Sequence, residues 1–178
     1  MKEIDETIPS GRSHTISLLV ENKPGVLHRI SGLFSRRGYN IASLTVGPTE
    51  NPEFSRMTIV VRLTSKPVEQ VVRQVQKLIP VVEVRELRPE DLIERELILV
   101  KIKTPEKNHA ELRALAETYE ASIVDVSPDA LVVEASGPAG KLDALEERLG
   151  HFGIQEVCRS GRIALERGFK TLAPPNLK

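Results

Sequence analysis

An α+β fold built from two βαββαβ units in tandem is predicted by three features of the sequence. Short β-rich runs alternate with apolar stripes at helical spacing in the order β-α-β-β-α-β. The same order recurs beyond a break at Arg88-Pro89-Glu90-Asp91. The helical stripes follow proline-bearing bends, where a chain leaves a strand and turns into a helix.

The elements follow in order. His14 to Glu21 is a β-rich run, broken by Asn22-Lys23-Pro24-Gly25. Pro24 suits the first turn of a helix, where its missing N–H matters least. Leu27, Ile30 and Phe34, with Leu33 beside them, form a helical stripe, and Gly38 is its expected left-handed cap. Ile41 to Val46 restarts a strand, Pro48 to Pro52 is a loop, and Arg56 to Leu63 is a third strand. After Pro67 a second stripe runs through Val68, Val71, Val72, Val75 and Leu78, stopped by Pro80. Val81 to Leu87 alternates as the fourth strand.

In the second half Glu96 to Lys103 reads as a strand, and Pro105 opens a helix with Leu112, Leu115, Ala116 and Tyr119. Ser122 to Val126 and Leu131 to Ala135 form a hairpin about Ser127-Pro128-Asp129. Pro138 opens a helix with Leu142, Leu145 and Leu149, and Gln155 to Cys158 closes the unit. Each unit is ferredoxin-like, an antiparallel sheet with both helices on one face. The chain divides into an N-terminal extension (1–13), a first domain (14–88), a linker (89–95), a second domain (96–159) and a tail (160–178) expected to be loosely held. The first sheet's other face, drawn from some of Ile16, Leu18, Val20, Ile59 and Val61 depending on register, needs a cover. A homodimer through sheet edges or helices is the expected one.

Composition narrows the function. The 178 residues are 40% apolar, with 25 basic and 25 acidic side chains, so no global field attracts nucleic acid or an anionic membrane. The run Ile16 to Val20 and the run Met57 to Val61 carry no aromatic residue on which bases would stack, which argues against RNA. No apolar run approaches the about 20 residues that span a bilayer. Met1 to Arg12 contains Glu3, Asp5 and Glu6 and no apolar stretch, so a frayed extension rather than a secretory signal is expected. The single cysteine, Cys158, excludes an internal disulfide, fits a reducing cytoplasm and is expected to be packed and inert.

No catalytic constellation is found. His14, His28, His109 and His151 lie at no metal-ligand spacing, and no Gly-x-Gly-x-x-Gly, Gly-x-x-x-x-Gly-Lys-Ser/Thr or Gly-x-Ser-x-Gly occurs. His28 is expected at the surface, and His109 and His151 are expected to be solvated. Turn chemistry accounts for Asp125 and Asp129.

The Asn22–Gly25 bend is more informative. Free N–H groups at a helix start attract a carboxylate, Gly25 lets a ligand approach its backbone, and Asn22 offers both a donor and an acceptor. A small zwitterion would suit such a place. Equally, Asn22 could cap the helix and Gly25 merely ease the turn; local chemistry leaves both readings open.

Ser17-Leu18-Leu19-Val20-Glu21-Asn22-Lys23-Pro24-Gly25-Val26-Leu27 resembles the opening of an ACT domain, an amino-acid-sensing βαββαβ module. Gly32 to Ile41, Ser43 to Thr49 and Ser55 to Ile59 sharpen the likeness to the regulatory subunit of acetolactate (acetohydroxyacid) synthase. Glu94 to Ile102, Arg159 to Arg162 and Arg167-Gly168 are similar to its second domain. The resemblance implies a non-catalytic, cytoplasmic chain that dimerises through its ACT domains and binds branched-chain amino acids, chiefly valine, at that interface. It implies activation and feedback inhibition of a separate catalytic subunit that carries thiamine diphosphate, Mg²⁺ and FAD. It maps Asn22, Gly25 and Asn40 onto the valine site, with Val26, Leu27, His28 and Ile41 beside it. His28 stands where a smaller residue is common, and the extension before His14 has no family counterpart. A sensor serving another enzyme or a transcriptional system, or a free-standing enzyme, stays open on sequence alone.

Overall fold

The computed structural model describes residues 12–63 and 67–173. Met1 to Gly11 of the expected N-terminal extension lie outside them. Two compact units divide the chain. One holds the described residues up to Ile93 together with those from Arg162 onward, and the other is Glu94–Gly161.

The first unit contains β1 (Arg12–Glu21), α1 (Val26–Arg37), β2 (Asn40–Pro48), β3 (Phe54–Leu63), α2 (Val68–Val75) and β4 (Val81–Leu87). Its antiparallel sheet has the order β2-β3-β1-β4, so β2 and β4 are its edges. Arg12, the first described residue, already pairs with Leu63, so the strand begins before His14. Alternation along β1 and β3 sends Ile16, Leu18, Val20, Met57, Ile59 and Val61 toward the helices, where Ile30, Leu33, Phe34, Val71 and Val75 complete one buried core.

One proline position differs slightly from expectation and the other agrees with it. Pro24 lies in the turn before α1, whose N-terminal flank is Gly25, and Pro67 is the residue just before α2. Leu78, expected in the second stripe, lies past the end of α2 in a turn and still packs against the core. The end of α1 is fixed more tightly. Gly38 adopts φ 67°, its N–H donates to the Ser35 carbonyl, and the Tyr39 N–H donates to the Phe34 carbonyl, each at 3.0 Å. The Tyr39 ring meets the buried Phe34 ring edge-on at 5.9 Å. This is a complete Schellman cap with its apolar contact, and it sets the direction in which β2 departs at Asn40.

Register settles which residues form the second sheet face. Ile16, Leu18, Val20, Ile59 and Val61 all lie on the helix side, contrary to the expectation that some would need another cover. The opposite face carries Thr15, Ser17, Leu19, Thr58 and Val60, all buried. Part of its cover is supplied by the chain itself. Ile163–Glu166 forms β9, and Ala164 is buried with Leu87 and Leu92. The Arg162 N–H donates to Ser43 Oγ at 2.9 Å, Arg56 donates to the Leu172 carbonyl at 3.3 Å, and the Ala173 N–H donates to Glu83 at 3.3 Å. The tail expected to be loose is therefore held over 162–173, with Leu172 buried.

The second unit contains most of β5 (Leu92–Lys103), then α3 (His109–Thr118), β6 (Ser122–Ser127), β7 (Ala130–Gly137), α4 (Ala139–Leu149) and β8 (Ile154–Arg159). Its strands run in the order β6-β7-β5-β8, giving the βαββαβ pattern a second time. Pro105 leads first into a 3-10 turn, Glu106–Asn108, and only then into α3. Ile98, Val100, Ile102, Leu112, Leu131, Val133, Leu142, Leu145 and Leu149 form its core. At one end Arg159 bridges Glu96 at 3.2 Å, Asp143 at 2.7 Å and Glu146 at 2.9 Å, tying β8 and β5 to α4.

Candidate functional site

The bend between β1 and α1 is built by two backbone anchors. The Glu21 N–H donates to the Pro80 carbonyl at 2.9 Å, and the Asn22 N–H donates to the Glu53 carbonyl at 2.7 Å. The Asn22 side chain reaches across to the β2–β3 loop, its Nδ2 donating to the Pro52 carbonyl at 3.0 Å. Asn22 does not cap the helix, for no side chain among the described residues bonds the helix start. With its donor so engaged, the amide turns its Oδ1 acceptor away from Pro52 and leaves it without a partner among the described residues.

Gly25 adopts φ 82°, the left-handed region that L side chains rarely occupy, and open space lies where its Cβ would stand. Its carbonyl accepts the Arg29 N–H at 3.0 Å, and the Val26 N–H donates to the Lys23 carbonyl at 3.4 Å. The Leu27 and His28 N–H groups receive no backbone acceptor among the described residues. The first turn carries no acidic side chain, so the positive end of the helix is unneutralised. Val26 is buried under this turn, whereas Leu27 and His28 are exposed.

Asn40 and Ile41 lie elsewhere. Asn40 is exposed at the start of the edge strand β2, opposite Arg62, and Ile41 is half-buried opposite Val61, packed against the core. The bend sits by Phe54, the partner of Glu21, at the far end of β3. Phe54 and Arg62 are eight residues apart, about 26 Å along a strand. The structure thus groups Asn22, Gly25, Val26, Leu27 and His28 at one end of the sheet and places Asn40 and Ile41 at the other.

Other residues depart from expectation. Cys158 is exposed on β8 rather than packed. His109 is buried at the start of α3, with Nε2 unpartnered, rather than solvated. His151 and His28 are exposed. His14 pairs with Glu86 at 2.8 Å. Among the described residues no cluster of three or more His, Cys, Asp or Glu side chains could hold a metal ion, and no helix is long and apolar enough to cross a membrane. Sequence reasoning missed the 162–173 segment, whose anchors are single polar contacts and two lone buried residues, Ala164 and Leu172, without apolar periodicity.

The fold and this bend define the class, a two-unit α+β protein whose first unit is an ACT domain. Residues 16–83 match the AHAS small subunit-like ACT domain, and residues 95–168 match the small subunit of acetolactate synthase. The chain belongs to the acetolactate synthase small-subunit family, a family of regulatory subunits. It is 47% identical to the probable acetolactate synthase small subunit of Methanothermobacter thermautotrophicus, over 90% of this chain and 96% of that protein. It is 46% identical to the acetolactate synthase small subunit of Mycobacterium bovis, over 89% and 95% respectively. The crystal structure of the acetolactate synthase small subunit from Thermotoga maritima superposes with a TM-score of 0.82 at 37% identity, covering 89% of this chain and 99% of that one.

Proposed function

We propose that this chain is a non-catalytic, cytoplasmic subunit that activates acetolactate synthase and confers feedback inhibition by valine. The ligand site is shared between two chains. Its carboxylate meets the open N–H groups at the start of α1, its ammonium meets Asn22 Oδ1, and Gly25 leaves room for the approach. Thiamine diphosphate, Mg²⁺ and FAD belong to the catalytic chain.

The observation that carries this reading is the separation of Asn40 and Ile41 from the bend. No single chain can close both ends of its own sheet around a molecule of eight non-hydrogen atoms. A two-fold pairing of the free β2 edges, centred near Leu44, removes the difficulty. It sets Asn40 of one chain beside Pro48 of its twin, and Pro48 lies at the bend end of the sheet, opposite Ser55. A homodimer through the ACT domains therefore completes two equivalent sites, and ligand binding there favours one dimer arrangement. Inhibition needs the catalytic subunit to prefer the other arrangement by about 1–3 kcal/mol.

The test is to mix the purified chain with an acetolactate synthase catalytic subunit and titrate valine while following acetolactate. Activation without valine and its loss as valine rises are expected. A chain that neither activates nor responds would overturn the reading.

A further inference from the structure

The helix layer of the first unit departs from the charge balance of the chain. Overall there are 25 cations and 25 carboxylates. Over residues 22–38 and 67–80, which hold α1, α2 and their flanking turns, six cations (Lys23, Arg29, Arg36, Arg37, Arg73 and Lys77) face one carboxylate, Glu69. The equivalent stretches of the second unit, 104–121 and 138–153, carry seven carboxylates and four cations. The excess is therefore particular to one layer.

All six cations are exposed. Lys23 pairs with Glu21 at 3.1 Å, and Arg37 donates to Gln74 at 3.2 Å, which joins the two helices into one surface. Arg29, Arg36, Arg73 and Lys77 have no carboxylate partner among the described residues. Uncompensated like charges on one layer repel each other and contribute nothing to folding. The same layer bears two exposed apolar side chains at its bend end, Ile79 at 89% and Leu27 at 44% exposure. Arginines that share a surface with exposed apolar side chains are the composition of a protein-binding patch. No aromatic side chain is exposed on the layer, Phe34 being buried, so it offers bases nothing to stack on.

We propose that the α1–α2 face is the surface on which this chain docks the catalytic subunit, through an acidic patch on that subunit with an apolar recess for Ile79. The proposal rests on the regulatory reading above and extends it. Gly25 flanks the start of α1 while Arg29 and Arg36 lie exposed along it, so ligand binding and docking involve the same helix.

The experiment compares the full-length chain with Arg29→Glu/Arg36→Glu/Arg73→Glu and, separately, Ile79→Ser, measuring the concentration that half-maximally activates the catalytic subunit. The triple reversal should raise that concentration at least about tenfold, and Ile79→Ser several-fold, with valine affinity by calorimetry unchanged in both. Added salt should raise it for the wild-type chain and scarcely for the reversed one. Arg113→Glu/Arg148→Glu, on the second unit's helices, should behave as wild type. Wild-type activation by the folded triple variant overturns the proposal. So does binding of a short RNA that the triple variant loses while still activating. A wild-type chain that activates no catalytic subunit removes the regulatory reading itself, an outcome separate from either.

Discussion

Arg85 on β4 donates through Nη1 to Glu166 on β9 at 3.0 Å, joining residues 81 apart in sequence and pinning the C-terminal segment to the ACT sheet. Burial pulls the Glu166 carboxyl upward, but hydrogen bonds from Arg85 and Lys170 outweigh it and hold the group below the usual glutamate range. The docked segment therefore binds fewer protons than the released one. Its stabilisation is full above the ordinary glutamate range and is lost as pH falls through the lowered native value. Glu166→Gln removes the charge at every pH. At neutral pH it should reduce hydrogen-exchange protection of residues 163–166 by about fivefold, corresponding to about 1 kcal/mol for a partly exposed charged bond. In acid the wild type and the variant should converge. Equal protection at neutral pH would show that the pair does not hold the segment.

Gly25 allows charge to be separated from backbone strain. At φ 82° an L residue costs roughly 1–2 kcal/mol, but Asn and Asp tolerate this region best. Gly25→Asn and Gly25→Asp thus share shape and strain and differ in charge. Gly25→Asp places a carboxylate where the ligand's own carboxylate docks, so valine inhibition should vanish while activation persists. Gly25→Asn should weaken valine binding by only about tenfold or less, a loss of about 1.4 kcal/mol. Retained inhibition in Gly25→Asp would move the site away from the bend.

A shared site has a property that a single-chain site lacks. Gly25→Asp dimers and Asn40→Ala dimers would each carry two damaged sites. A mixed dimer of the two would carry one site with both wild-type residues and one with neither. Calorimetry on mixed dimers, isolated by two different tags, should recover near-wild-type affinity at half the stoichiometry. Asn40→Ala alone should weaken binding less than Gly25→Asp does. Absence of recovery in the mixed dimer would place Asn40 and Gly25 in separate roles.

The sequence made the helix-facing core legible because apolar spacing reports it directly. Ile30, Phe34, Val71 and Val75 lie where their periodicity placed them. The bend was legible from residue chemistry, since Pro24 and Gly25 announce a turn. Which way the Asn22 amide points was not, because its acceptor, the Pro52 carbonyl, lies thirty residues away. Nor was the distance between Asn40 and the bend, which depends on strand register. The held tail was hidden for a related reason. Ala164 is small, Ser43 and Arg56 read as ordinary strand residues, and their contacts are one-off pairings without a period. Cys158 and His109 exchanged their expected environments because neighbouring strand and helix residues decide burial, and a lone polar residue carries no pattern.

The second unit offers a test of what its polar network does. Glu96 is 8% exposed on its side chain and is held by Arg159, itself 27% exposed. Burial lowers the affinity of that guanidinium for its proton, but hydrogen bonds to Glu146 and Asp143 outweigh it and leave the pKa raised. Arg159→Leu strips Glu96 of that partner. The expected cost is roughly 2–3 kcal/mol, toward the lower end for breaking a buried pair because Arg159 touches water. Glu96→Leu/Arg159→Leu should recover most of the loss, since two apolar side chains avoid the desolvation that a buried carboxylate deprived of its guanidinium suffers. Valine affinity should be untouched in both, because Asn22, Gly25 and Asn40 all lie in the other unit. Denaturant melts of the single and double variants measure the coupling directly, and additive losses in the double variant would show that Arg159 and Glu96 stabilise the unit independently.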